Sequence, residues 1–252
     1  MILHRMTWPE VRRIDFDKTV ALVPLGSTEQ HGPHLPTNTD TFIVTRLAEE
    51  LERRHPDHIL LTPALWLGHS PHHLSFGGTL SAYHPVYIDM VVSICESYIQ
   101  MGAKKIWLLN GHGGNRAPLA IVLQELKNRH KRVRAVASEY WNIARESISA
   151  IRESGTGGLG HACELETSLY LYLDESQVRK DLIQDDGNRK GKRLFPLDML
   201  QGGPVAETFD FDEITDSGVN GMPTLATKEK GERFFRGIVE ALDQFAVRLI
   251  EL

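Results

Sequence analysis

Short apolar runs alternate with longer helix-period segments through the first 150 residues, and this alternation restricts the chain to a layered α/β architecture. "TVALVPLG" (19–26) and "KKIWLLNG" (104–111) read as strands buried on both faces, because neither alternates polar with apolar residues. "HILLTPALWLG" (58–68) reads as a further strand broken near Pro63, and "VRAVASEYW" (133–141) as a fourth. Between them, 39–55, 84–103 and 115–130 carry helical spacing, with Gly102 predicted to stop the second. A helix after each strand predicts parallel βαβ units. Beyond residue 150 comes a glycine-rich loop, "ESGTGGLG" (153–160), then "HACELETSLYLYL" (161–173), which predicts another helix. Residues 174–223 show little periodicity, and 227–252 form an amphipathic helix with Thr227 as N-cap and an interruption near Gly231. No repeat, linker or low-complexity tract divides the 252 residues, so one domain spanning 1–252 is expected.

Composition excludes several function classes. A net charge of −5 and only short basic clusters argue against nucleic acid as a partner. No apolar run reaches the roughly 20 residues that cross a bilayer. Two cysteines, Cys95 and Cys163, cannot build a disulfide framework, which suits a reducing cytoplasm. Histidine is unusually frequent, with twelve residues and several clusters. Imidazole is both the commonest metal ligand and the usual acid or base near neutral pH.

In open α/β sheets, ligands bind outside the carboxyl ends of the strands. Three polar segments follow such ends: "STEQHGPHLPTNTD" (27–40), "NGHGGN" (110–115) and, through an insertion, "GLGHACELE". Glu29 and His31, two apart, point the same way in an extended segment. Asp40 begins the next helix, where a carboxylate either caps the helix or bridges two cations. His112 lies among glycines that let the backbone approach a ligand. His161 and Glu164, three apart at a helix start, are expected to share one face. Glu166 is then expected off that face, as a group orienting a ligand or base from behind. Glu29, His31, Asp40, His112 and Glu164 make five donors with three carboxylates, more than a single tetrahedral zinc needs. They suit two metals sharing a carboxylate, a centre for hydrolysis in which the cations lower the pKa of a bridging water and polarise a carbonyl. His161 is the candidate proton donor to the leaving nitrogen.

These motifs resemble the creatininase (creatinine amidohydrolase) family. "GSTEQHGPHLPTNTD" is similar to its G-x-x-E-Q-H-G-x-H-x-P-x-x-x-D segment, "NGHGGN" to its histidine turn, and "GHACELETS" to its G-H-A-G-E-x-E-T-S segment. "HLSFGGTLS" (73–81) and "PTLATKEKGE" (223–232) match further stretches, with Gly77 where proline is usual. The resemblance implies a three-layer α/β/α sandwich around a mostly parallel sheet, and often a homo-hexamer. It implies two divalent ions per chain, zinc, manganese or iron. One would be held by Glu29, Asp40 and His112, the other by His31, Asp40 and Glu164, with His161 catalytic. Tyr140 and Trp141 match an aromatic pair beside the substrate. Gly113 and His73 are further expected substrate contacts, and His34 is expected to support the site without binding metal. Creatinine-hydrolysing members carry glutamate and tyrosine where this chain has Gly114 and Gly113, and a tryptophan where it has "GTGGLG". The substrate expectation is therefore a small-molecule amide or cyclic amide, with a formamide or short peptide as alternative. A catalytically silent metal-dependent binding protein is the alternative of a different class.

Overall fold

The computed structural model describes residues 1–187, 194–201 and 204–252. In chain order its elements are α1 (Trp8–Val11), β1 (Val20–Leu25), α2 (Thr39–Arg54), β2 (Ile59–Leu61), α3 (His84–Met101), β3 (Lys105–Asn110), α4 (Arg116–Arg129) and β4 (Arg134–Glu139). There follow α5 (Tyr140–Ile143), α6 (Arg145–Ile151), β5 (Leu159–His161), α7 (Glu164–Asp174), α8 (Phe211–Ile214), β6 (Asn220–Gly221) and α9 (Lys228–Glu251). β1 to β4 form a parallel sheet in the order β2-β1-β3-β4.

All residues of β1 and β3 are buried, and their alternation divides them between two cores. Val20, Leu22, Trp107 and Leu109 face α2, α7 and α9, meeting Leu47, Leu165, Phe234 and Ile238 among others. Ala21, Val23, Leu25, Ile106 and Leu108 face α3 and α4, meeting Tyr87, Val91, Tyr98, Leu119 and Val122. Helices thus cover both faces, as the doubly apolar strand sequences require. The expected α/β/α arrangement and parallel sheet are what the structure has.

Two local expectations differ. The strand expected over 58–68 is only Ile59–Leu61, with isolated bridges at Leu65 and Gly68 beyond Pro63. α9 runs through Gly231 without a break. A Cβ there would lie 1.9 Å from the carbonyl oxygen of Ser168, so this glycine lets α9 press against α7. Gly102 ends α3 in the left-handed conformation, and Thr227 accepts a hydrogen bond from the Lys230 amide as N-cap of α9.

The ends of β1, β3 and β4 are level, since Leu25, Asn110 and Glu139 pair in register. α2 leaves β1 toward one face while α4 leaves β3 toward the other. The crevice between those strand ends is the topological switch point, where a ligand site is expected.

Candidate metal centre

Four side chains meet in that crevice as the sequence predicts: Glu29 and His31 from the segment after β1, Asp40 from the first turn of α2, and His112 from the turn after β3. All are buried. Asp40 does not cap its helix. Instead its Oδ1 lies 3.1 Å from His31 Nε2 and its Oδ2 3.0 Å from His112 Nδ1. Oδ2 nonetheless receives no well-directed hydrogen bond. Glu29 Oε1 lies 3.2 Å from His112 Nδ1.

The fifth donor is Glu166, 3.9 Å from His31 Nε2, and this corrects the expectation for Glu164. Glu164 points away and is locked elsewhere. Its carboxylate accepts from the amides of Glu153 at 3.0 Å and Ser154 at 2.9 Å, and from Lys230 Nζ at 2.9 Å. The spacing argument fails because His161 belongs to β5, not to the helix. Ala162, at φ 50°, then turns the chain sharply into α7. The helical faces therefore count from Glu164, and Glu166 at its third position faces inward.

Hydrogen bonds fix the imidazole tautomers. His112 Nε2 is 3.1 Å from the His69 carbonyl and 3.0 Å from Ser70 Oγ, so it carries the proton and Nδ1 offers a lone pair to the crevice. His31 Nδ1 is 3.1 Å from the Glu29 carbonyl, which leaves Nε2 as acceptor. His161 Nε2 donates to the Gln30 carbonyl at 2.7 Å, so its Nδ1, 3.7 Å from Glu29 Oε1, is an acceptor too. Gln30, which sequence reasoning passed over between two candidate ligands, organises the far side. Its Oε1 accepts from the Gly32 amide at 2.8 Å, and its Nε2 donates to His73 Nδ1 at 2.8 Å. His73 Nε2–H then donates to Glu29 Oε1 at 3.3 Å.

The crevice is consequently a buried assembly of acceptors: three carboxylates and the lone pairs of three imidazoles. Among the described residues no lysine or arginine pairs with Glu29, Asp40 or Glu166. Protons fill the deficit in the absence of other cations. Burial works against a charged His31, but the carboxylates of Asp40, Glu166 and Glu29 together outweigh it and raise the imidazole to about 9. His112 is raised in the same way by Glu29 and Asp40 against burial. Burial, reinforced by Asp40 and Glu29, lifts Glu166 to about 7. His161 is pushed down to about 3 by burial and by His31, so it is neutral at pH 7. Donors from Glu29, Asp40 and His112 converge within 4.8 Å, as do those from His31, Asp40 and Glu166, and those from Glu29, His31 and His161. Oxygen and imidazole nitrogen in such sets suit zinc, manganese or iron, so the residues present fit divalent metal.

The centre opens into a cavity of about 720 Å³, lined also by His73, Gly113 and Trp141. Tyr140 is not on its wall. Its ring is buried in the core and packs edge-on against Trp141 at 4.9 Å. His34 is buried one layer back, its Nε2 2.8 Å from Thr167 Oγ1. Phe211, from α8, is a wall residue that sequence reasoning missed, its ring 4.0 Å from that of His73 and 4.9 Å from that of His161. α8 has only four residues and no periodicity, and its one signal is the Asp210–Glu213 capping box. Part of the segment expected to be irregular (174–223) lies outside the described residues.

Fold and centre together define an α/β/α protein with a buried carboxylate–histidine cluster at the sheet's switch point. The chain belongs to the creatininase family, whose members are hydrolases: the family model for creatinine amidohydrolase matches residues 4–246. A mycofactocin precursor peptide peptidase of Mycobacterium tuberculosis is 31% identical over 233 residues, covering 87% of this chain and 81% of the relative. A creatinine amidohydrolase of Pseudomonas putida is 27% identical, covering 96% of this chain and 94% of the relative. Among solved structures, a creatininase variant of zinc–zinc type superposes with a TM-score of 0.80 at 24% identity, covering 97% of this chain and 96% of its own. A manganese creatininase superposes with a TM-score of 0.79 at 23% identity and the same coverage. Among the described residues no helix is long and apolar enough to cross a membrane.

Proposed function

We propose that the protein is a divalent-metal-dependent amidohydrolase that cleaves an amide or cyclic amide C–N bond of a small molecule. The observation that carries this reading is the buried acceptor cluster, whose lone pairs and carboxylates converge with no lysine or arginine beside them among the described residues. Glu29, Asp40 and His112 would hold one metal, and His31, Asp40 and Glu166 a second, with one Asp40 oxygen given to each. Zinc, manganese and iron are all compatible, and relatives solved with zinc or manganese favour the first two. Bound there, such cations would supply an activated water and polarise the scissile carbonyl.

The remaining chemistry belongs to the side chains. His161 Nδ1, neutral and aimed at Glu29 and His31, accepts the proton of the attacking water and returns it to the leaving nitrogen. The Nε2–H bond to the Gln30 carbonyl holds the imidazole in that tautomer. His73 positions Glu29, while Trp141, Phe211 and the bare Gly113 shape the wall. A cavity of about 720 Å³ has room for a short peptide as well as a small ring, and a formamide or short peptide is the second reading. The relative named as a peptide peptidase points the same way. A cytoplasmic location suits the two free, buried cysteines. A homo-oligomer is proposed from exposed apolar side chains beside the cavity segments, Trp66, Leu74, Leu80, Tyr83 and Val86.

The test is hydrolysis by purified protein of creatinine, N-formyl compounds and dipeptides, before chelation, after chelation and after reloading with zinc or manganese. One class should be cleaved, lose cleavage on chelation and regain it on reloading. Activity indifferent to chelators would overturn the metal assignment. A metal-loaded protein that turns over no amide would mark a binding protein instead.

A further inference from the structure

Arg116 is the single lysine or arginine among the described residues lining the cavity. It is the first residue of α4, directly after the histidine turn, so the element that positions His112 also positions the guanidinium. Its Nε lies 3.3 Å from Glu139 Oε1, and its guanidinium carbon lies 6.0 Å from the centroid of the Trp141 ring. Those two contacts orient a planar fork. They occupy Nε and one face, and among the described residues the two terminal nitrogens have no partner. A half-exposed arginine of this kind adds little to stability through its ion pair. Its place on the cavity wall gives it a different use.

We propose that Arg116 anchors a carboxylate of the substrate, so that the amide cleaved at this centre belongs to a molecule with a free carboxylate, such as an N-acyl amino acid or a short peptide. This deepens the amidohydrolase reading and rests on it. Two terminal N–H groups in one plane match the two oxygens of a carboxylate. Glu207, Asp210 and Glu213 also line the cavity and oppose a more highly charged anion, which argues against a phosphate ester.

The experiment uses metal-loaded protein and paired probes: N-formyl and N-acetyl amino acids and dipeptides, each as free acid and as C-terminal amide. Binding is measured by calorimetry and turnover by amine release. Free acids should be favoured about 10-fold or more. In Arg116→Met that ratio should fall to near 1 through a rise in KM for the acids, while Arg236→Met, at an exposed site outside the cavity, keeps it. Unchanged melting temperature and metal content of Arg116→Met show that it folds. Equal binding of acids and amides by the unaltered protein, no binding of either, or a preference that survives Arg116→Met would overturn the proposal. Acid-selective binding that depends on Arg116 without any hydrolysis would uphold the anchor and overturn the amidohydrolase reading.

Discussion

Glu164 and Glu166 lie two residues apart at the start of one helix, and the structure gives them opposite fates under the same substitution. Glu164→Gln removes the charge of a fully buried carboxylate that accepts from two backbone amides and from Lys230 Nζ at 2.9 Å. Breaking a buried pair by altering one partner costs about 3–5 kcal/mol. Lys230 keeps Glu153 Oε1 at 3.0 Å and the Leu225 carbonyl at 2.7 Å, and the new amide oxygen still accepts one backbone N–H. The loss therefore falls toward about 2–3 kcal/mol, or roughly 5–10 °C in melting temperature for a chain of this size. Metal content should not change. Glu166→Gln removes one of three mutually repelling carboxylates. The metal-free variant should melt no lower than the unaltered protein, yet metal per chain should drop by about one equivalent. The assay is thermal unfolding of chelated protein beside elemental analysis of the loaded protein, on both variants. Loss of metal from Glu164→Gln at normal stability, with full metal retained by Glu166→Gln, would refute the assignment.

Three further outcomes are expected. His161→Ala should lower turnover about 10²–10⁴-fold with metal content retained, since its role is proton transfer; elemental analysis and steady-state kinetics on one preparation check both halves. Asp186 is held at about 2 rather than 3.8, because hydrogen bonds from Thr215 and Ser217 outweigh burial. A carboxyl lowered on folding contributes stability that is full above about pH 4 and fades as pH falls toward 2, so Asp186→Asn should melt lower at neutral pH and converge with the parent near pH 2. Gly231→Ala should destabilise by about 1–3 kcal/mol despite alanine's helix preference, because its Cβ would collide with the Ser168 carbonyl; an unchanged denaturant midpoint would disprove that packing.

The sheet was legible because β1 and β3 are apolar at every interior position, a pattern that only a strand covered on both faces tolerates. The convergence of Glu29, His31, Asp40 and His112 followed from their place after strand ends. Glu166 was misplaced for a local reason. The backbone reversal at Ala162 separates His161 from the helix, and alanine gives no sequence sign of a left-handed residue. Tyr140 was read with Trp141 as a pair facing substrate, but successive residues diverge, and only Trp141 reaches the cavity. Phe211 and Gln30 left no periodic trace, since one sits in a single helical turn and the other acts through hydrogen bonds.

A crystal structure of zinc- or manganese-loaded protein, with anomalous scattering at the metal edge, tests the central claim most directly. Two ions should appear, one on Glu29 and His112 and one on His31 and Glu166, each also touching Asp40, with Glu164 still on Lys230. A loaded crystal with a single ion away from Asp40, or with Glu164 as a ligand, would contradict it.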